Sequence, residues 1–117
     1  MVVTYQRLPQ LKATLARLLD TEPQYLDHVL VVDNASKDGT GEWLAAQNDR
    51  RLIVHTLSEN LGGAGGFAAG MKHASDTLDP DWVLVMDDDA RPSPEALRVF
   101  HEKPRGAHEA WAAAVYY

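Results

Sequence analysis

The sequence predicts an α/β fold in which helices flank an open, mostly parallel sheet. Short apolar segments rich in β-branched residues alternate along the chain with segments whose leucines recur at helical spacing. Val29–Val32 is an unbroken apolar run, which is typical of a parallel strand covered on both faces. Such alternation builds right-handed βαβ units. With 117 residues, the chain is predicted to form a single domain, residues 1–117.

The predicted elements follow one another with short connections. Strands are predicted at residues 2–4, 28–33, 52–56, 81–86 and 112–117. Helices are predicted from Leu8 to Leu19, at 42–47, from Phe67 to Ala74 and at 95–101, the last with Pro94 in its first turn. The glycine-dense segment 60–66 is predicted to be an open connection. Because ligands bind beyond the carboxyl ends of parallel strands, the segments after the second, third and fourth strands could share one pocket.

Composition excludes several classes of protein. The net charge of −6 argues against a nucleic-acid partner, which usually requires a basic face. The absence of cysteine excludes disulfides and thiolate metal sites. No apolar run approaches the roughly 20 residues that span a bilayer, and no signal peptide is recognisable at the N-terminus. We therefore expect a cytoplasmic chain.

The acidic triplet Asp87-Asp88-Asp89 is the strongest candidate site. It follows an apolar strand directly, and three adjacent carboxylates repel one another unless a cation offsets their charge. Alternate residues of an extended tip, Asp87 and Asp89, can face one side, and their hard oxygen atoms suit Mg²⁺ or Mn²⁺. Such an ion would bind and neutralise a diphosphate. The competing interpretation is a solvated acidic turn that caps the next helix.

Two further segments carry weaker signals. The glycines between Asn60 and Phe67 allow a ligand to approach the backbone closely, and the segment 63–68 fits the loose G-x-G-x-x-A form of a dinucleotide fingerprint. That fingerprint should follow a strand directly, which it does not here. Segment 33–40, rich in Asp, Asn, Ser and Gly, could read a pyrimidine base or could simply be a capped turn.

Taken in order, four motifs resemble the family 2 glycosyltransferases. They are Val2-Val3-Thr4-Tyr5-Gln6-Arg7, the segment from Val31 to Thr40, the segment from Glu59 to Phe67, and Met86-Asp87-Asp88-Asp89. The glycine segment is most similar to the rhamnosyl- and galactofuranosyltransferase-like branch. The resemblance implies a GT-A fold, a UDP- or dTDP-sugar donor, a saccharide or glycolipid acceptor in cell wall polysaccharide synthesis, and inversion at the anomeric carbon.

The resemblance also implies roles for individual residues. Thr4, Tyr5 and Arg7 would surround the base and ribose, Asp33 and Asn34 would contact the pyrimidine, and Asn60, Gly62 and Gly63 would line the donor pocket. Asp87 and Asp89 match the D-x-D that holds Mn²⁺ or Mg²⁺, with Asp88 facing the sugar or the metal. Two positions depart from the usual pattern, since Asn34 stands where many relatives have an acid and Gln6 where an Asn is usual.

The acceptor-binding half of such enzymes follows the D-x-D, and it contains the catalytic base. Only 28 residues follow Asp89 here, so we expect the base beyond Tyr117. The chain would then bind donor without transferring sugar, and the full-length protein would act at the inner face of the membrane.

Other classes of function stay open on sequence alone. One is a non-catalytic nucleotide- or metal-binding module that forms homo-oligomers through an exposed sheet edge. Another is an NAD-dependent oxidoreductase, which rests on the glycine fingerprint. A phosphatase with Asp87 as nucleophile is disfavoured, because Ala90 and Arg91 follow the triplet where a hydroxyl residue is usual.

Overall fold

A computed structural model describes residues 1–106 and 109–111 as a parallel sheet with helices on both faces. The elements in chain order are β1 (Val2–Thr4), α1 (Leu8–Leu19), a 3-10 turn (Pro23–Tyr25), β2 (Val29–Asp33), α2 (Thr40–Ala45), β3 (Leu52–Thr56), α3 (Gly62–Thr77), β4 (Met86–Asp87) and α4 (Ala96–Glu102). The strand order is β3-β2-β1-β4, and every pair is parallel. The predicted α/β class is confirmed, and the predicted strand 112–117 lies outside the described residues.

The central strand β2 is buried along its whole length because helices cover both of its faces. Val29 and Val31 pack with the α1 leucines in one hydrophobic cluster. Leu30 and Val32 belong to a second cluster on the α3 side of the sheet. This is the two-sided burial that the unbroken apolar run predicts.

Strand β4 shares only Met86 with the predicted strand 81–86, so the prediction of a strand at 81–85 is wrong. The parallel register places Met86 opposite Val2 and Asp87 opposite Val3. Residues 81–85 lie outside this ladder. The contact continues only through the Met86 N–H to the Met1 carbonyl, at 3.1 Å, and the Met1 ammonium to the Leu84 carbonyl, at 2.6 Å.

Helix α3 begins at Gly62, five residues before the predicted start at Phe67, so most of the predicted glycine connection is helical. Two of its glycines allow the helix to lie against the sheet. A Cβ at Gly66 would stand 2.6 Å from Val3 Cγ1, and one at Gly70 would collide with Met1 and Val32. The glycines therefore serve close helix–sheet packing.

The other helices differ from prediction only at their ends. Helix α1 spans the predicted Leu8–Leu19. Helix α2 begins at Thr40 instead of residue 42, and α4 covers Ala96–Glu102 instead of 95–101, with Pro94 before its first turn. No helix in the described part of the chain has the length and apolar character needed to cross a membrane.

We predict opposite stability changes for two alanine substitutions in α3. Gly66→Ala should lower the free energy of unfolding by about 1 kcal/mol or more, because overpacking against the stiff Val3 side chain outweighs the gain in helix propensity. The Cβ added by Gly63→Ala would meet no atom within 4 Å, so this substitution should raise the free energy of unfolding by up to about 1 kcal/mol. Urea denaturation measures both. Equal effects of the two substitutions would contradict this packing.

Candidate functional site

A cleft of about 330 Å³ opens where β1 and β4 end and α3 begins. Its volume lies at the lower end of the range for small-molecule sites. The lining residues are Val3, Thr4, Tyr5, Arg7, Asn34, Asn60, Gly62, Gly63, Phe67, Asp87 and Asp88. The structure thus brings together all the site residues expected from sequence except Asp33 and Asp89. A second cleft, of about 430 Å³, is lined by Ala13, Ala16, Arg17, Asp20 and Arg91 and contains none of them.

Asp88 is the buried member of the acidic triplet, with only 3% of its surface exposed. One carboxylate oxygen accepts a hydrogen bond from Thr4 Oγ1 at 2.9 Å, and the other lies 3.1 Å from the Arg7 guanidinium. Burial raises the pKa of Asp88, while the Thr4 hydrogen bond and the Arg7 charge act in the opposite direction. Asp88 therefore ties the end of β4 to the end of β1.

Arg7 also reaches the exposed end of the triplet. Its second guanidinium nitrogen donates to the Asp89 carboxylate at 3.1 Å. The Asp89 hydrogen bond, followed by the charge of Asp88, raises the pKa of Arg7, so the guanidinium stays protonated. Arg7 thus offsets part of the triplet's negative charge from within the chain.

The residues at the triplet fit a hard divalent cation. Asp87 is exposed and lines the cleft, and the Asp89 side chain is 52% exposed. Across residues 1–106 and 109–111, no group of three or more histidine or acidic side chains is arranged to hold a metal. Asp87 and Asp89 are the exposed carboxylates of the triplet that could contact a cation, and phosphate or water oxygens would have to complete its shell, as in many Mg²⁺ sites.

Asn34 joins the end of β2 to the start of α3. Its Oδ1 accepts a hydrogen bond from the Leu61 N–H at 2.8 Å, and its Nδ2 donates to the Gly62 carbonyl at 2.9 Å. The Asn60 Oδ1 accepts a further hydrogen bond from the Gly62 N–H at 2.9 Å. The two asparagines fix the backbone at the rim of the cleft. Contact of Asn34 with a pyrimidine stays a prediction, and both groups of its amide already have partners in the chain.

Asp33 lies beneath the cleft and does not line it. It is 1% exposed, and its Oδ1 accepts a hydrogen bond from the Ser36 N–H at 3.0 Å. The structure therefore gives Asp33 a capping contact in the turn after β2, and its predicted contact with a base would require rearrangement of that turn.

The loop between β1 and α1 is held by the segment after β2. Gln6 has a left-handed backbone, with φ of 50°, and its N–H donates to Ser36 Oγ at 2.9 Å. Asp38 accepts hydrogen bonds from Leu8 N–H at 3.3 Å and from Thr40 Oγ1 at 2.6 Å. These contacts set the path of the loop that carries Tyr5 and Arg7.

Sequence reasoning missed three residues of the site: Val3 and Phe67 in the lining, and Thr14 behind the acidic triplet. Phe67 lines the cleft, although its place in an apolar helical pattern marks it as core. Thr14 is fully buried on α1, and its Oγ1 lies 2.6 Å from the Asp88 carbonyl. A signal for Thr14 exists, because a hydroxyl residue between Leu11 and Leu15 interrupts the apolar stripe of that helix.

The dinucleotide fingerprint has no structural support. Its segment 63–68 lies inside α3, and residues 57–61 separate that helix from β3. The tight strand-to-helix turn that the fingerprint requires is therefore missing here. Gly66, which occupies an unspecified position of the fingerprint, packs against Val3.

The parallel order β3-β2-β1-β4, with a cleft and an acidic triplet at the carboxyl ends of the strands, is the GT-A fold of glycosyltransferases. The structure superposes on the mannosyltransferase PcManGT from Pyrobaculum calidifontis, solved in complex with GDP-Man and Mn²⁺, with a TM-score of 0.60 and 25% sequence identity. That match covers 80% of this chain and 28% of the other.

The chain belongs to glycosyl transferase family 2, whose sequence pattern matches residues 1–108. It is 38% identical over 112 residues to an undecaprenyl-phosphate mannosyltransferase of Micrococcus luteus, covering 91% of this chain and 43% of that protein. It is 39% identical over 92 residues to the galactofuranosyltransferase GlfT1 of Mycolicibacterium smegmatis, covering 79% of this chain and 30% of that protein. The chain thus spans less than half the length of these relatives. The predicted family is confirmed.

We predict that Asp38 stabilises the fold at neutral pH but not in acid. Its pKa lies below the ordinary 3.8, chiefly because of the Thr40 hydroxyl. A lowered carboxyl pKa stabilises the native state above the unfolded-state value, and this is lost as pH falls through the folded-state value. Asp38→Ala should therefore lower the urea midpoint at pH 7, with a smaller difference from wild type at pH 3.

The matched control is Asp81→Ala, which removes an exposed carboxylate outside this loop. It should change the free energy of unfolding by less than about 0.5 kcal/mol at either pH. A difference between Asp38→Ala and wild type that is as large at pH 3 as at pH 7 would contradict the assignment.

Proposed function

We propose that the chain binds a nucleoside-diphosphate sugar in the cleft between β1, α3 and β4. The observation that carries this proposal is the convergence of Tyr5, Arg7, Asn60 and the acidic triplet at one edge of the sheet. The family assignment and a structural neighbour that binds GDP-Man with Mn²⁺ support it.

Each part of the cleft suits one part of such a donor. The side chain of Tyr5 is exposed and offers a face for a base or ribose, and Phe67 lies in the same lining. Gly62 and Gly63 leave the backbone open to close approach. Arg7 is the cation at the cleft, and its planar guanidinium matches phosphate oxygens well.

We propose that Asp87 and Asp89 hold a divalent cation, Mn²⁺ or Mg²⁺, beside the donor diphosphate. When bound, the cation would neutralise negative charge on the leaving nucleoside diphosphate. Asp89 would give up its ion pair with Arg7 and bind the cation instead. The Arg7 guanidinium would then be free to contact a phosphate oxygen. Asp88 would keep its bond to Thr4 and hold the backbone on which its neighbours stand.

For the whole protein we propose transfer of the sugar, with inversion, to an acceptor hydroxyl or lipid phosphate. Among the described residues, the carboxylates that line the cleft are Asp87 and Asp88, and both have other proposed roles. We therefore propose that the base that accepts the acceptor's proton lies outside the described residues. The name of the Micrococcus relative, an undecaprenyl-phosphate mannosyltransferase, supports a lipid phosphate as the acceptor. We also propose that the whole protein acts at the inner face of a membrane. Assembly through the sheet edges stays an untested expectation.

The proposal predicts nucleotide binding that depends on the metal and on two carboxylates. Titration calorimetry with UDP, dTDP and GDP, with and without Mn²⁺, should detect binding of at least one nucleotide. Asp87→Asn and Asp89→Asn should each weaken it about tenfold or more, because an amide cannot replace a charged metal ligand.

The matched control is Asp76→Asn, an exposed carboxylate paired with Lys72 on α3. It should bind the nucleotide as wild type does. Equal binding with and without Mn²⁺, or equal losses in all three variants, would contradict the metal site.

Arg7 provides a separate test with the metal alone. Arg7→Gln removes the cation that competes for Asp89, and we expect it to strengthen Mn²⁺ binding about two- to fivefold, as the modest strength of an exposed ion pair implies. The decrease of the free-Mn²⁺ signal in electron paramagnetic resonance measures this binding. Lys12→Gln changes the net charge by the same amount and serves as the control, because the Lys12 ammonium lies over the Trp43 ring and not beside Asp89. Equal binding by the two variants would contradict the competition.

A further inference from the structure

The acidic triplet extends past the end of its strand. The last ladder pair of β4 joins Val3 and Asp87, so the backbone from Asp88 onward has no β1 partner. A turn follows, closed by the Ala90 N–H bonded to the Asp87 carbonyl at 3.2 Å. A two-residue strand and a single hydrogen bond within the turn constrain the Asp87 and Asp89 carboxylates only weakly. Another contact must therefore fix the turn.

Thr14 of α1 supplies that contact. Its side chain is 0% exposed and stands in the leucine stripe that packs on the sheet. Its Oγ1 lies 2.6 Å from the Asp88 carbonyl and 3.1 Å from the Ala90 carbonyl. A hydroxyl has one proton, so it donates to one of these two oxygens at a time, and the shorter distance favours Asp88.

Two threonines on successive elements, β1 and α1, thus hold Asp88. Thr4 of β1 bonds its carboxylate, and Thr14 of α1 bonds its backbone carbonyl. With side chain and backbone both fixed, Asp88 cannot rotate about its backbone without breaking a buried hydrogen bond. The residues on either side, Asp87 at the cleft and Asp89 beside Arg7, are oriented as a consequence.

We propose that Thr14 is a positioning residue that orients the Asp87 and Asp89 carboxylates for cation binding. This inference rests on the proposed function, since it gives the two carboxylates a metal to hold. Thr14 is not among the residues that line the cleft, and it would act through the Asp88 and Ala90 carbonyls of the turn.

The test compares three variants in Mn²⁺-dependent nucleotide binding. Thr14→Val keeps the shape but removes the donated hydrogen bond, and we expect binding about tenfold weaker. Thr14→Ser keeps the hydroxyl and should bind within about threefold of wild type. Leu18→Val trims another buried side chain of α1 and should lower the melting temperature without weakening binding. Calorimetry is performed well below the melting temperature of every variant.

A second measurement uses the metal-free protein. Hydrogen exchange at the Ala90 amide reports on the turn directly, and Thr14→Val should accelerate it while Thr14→Ser and Leu18→Val leave it near the wild-type rate. Failure of wild type to bind nucleotide with Mn²⁺ would refute the proposed function and with it the cation-binding role. Unchanged exchange in Thr14→Val would refute the anchoring itself.

Two outcomes of the binding experiment would also overturn the inference. One is wild-type affinity in Thr14→Val. The other is an equal loss of affinity in Thr14→Ser or Leu18→Val, which would mean that general stability of α1, and not the hydroxyl, governs the site.

Discussion

The buried hydrogen bond from Thr4 to Asp88 is the contact on which the site depends. It joins the carboxyl ends of two neighbouring parallel strands at a distance of 2.9 Å. A carboxylate with 3% exposure is costly to bury without partners, and Thr4 and Arg7 supply them. Because Asp88 faces inward, the residues on either side of it are left at the surface. One buried acid thus separates two exposed ones at the edge of a cleft.

The close packing of α3 brings the rim of the cleft to these acids. Gly66 permits the helix to approach β1, and Asn34 ties the backbone at the helix start to the end of β2. The glycine-rich segment therefore has a packing role along the helix and an open backbone at Gly62 and Gly63. The packing at Gly66 requires the lack of a side chain, because a Cβ there would stand 2.6 Å from Val3 Cγ1, whereas a Cβ at Gly62 or Gly63 would meet no atom within 4 Å.

Much of this arrangement could be predicted from sequence because the signals are local. The apolar run of β2 and the leucine spacing of α1 depend on single elements, and both match the structure. The order of four motifs was specific enough to indicate the family and most of the cleft lining. Gln6 has a left-handed backbone, and Asn adopts that conformation more readily than most residues. This agrees with the asparagine that is usual at this position of the motif.

The features that the sequence did not predict depend on contacts between residues far apart in the chain. The position of β4 at Met86–Asp87 depends on its pairing with β1, which places Met86 opposite Val2. The start of α3 at Gly62 depends on Asn34 and Asn60, which bond the backbone at 61 and 62 and outweigh the low helix propensity of glycine. The burial of Asp33 beneath its turn is likewise a tertiary contact that composition does not reveal.

Diffraction from crystals grown with Mn²⁺ and a nucleoside diphosphate, recorded at the manganese absorption edge, would locate the cation. We expect an anomalous peak within bonding distance of the Asp87 and Asp89 carboxylates, beside the diphosphate and with Asp88 still bonded to Thr4. A nucleotide seated in the cleft with no manganese at the triplet, or manganese bound elsewhere, would contradict this expectation.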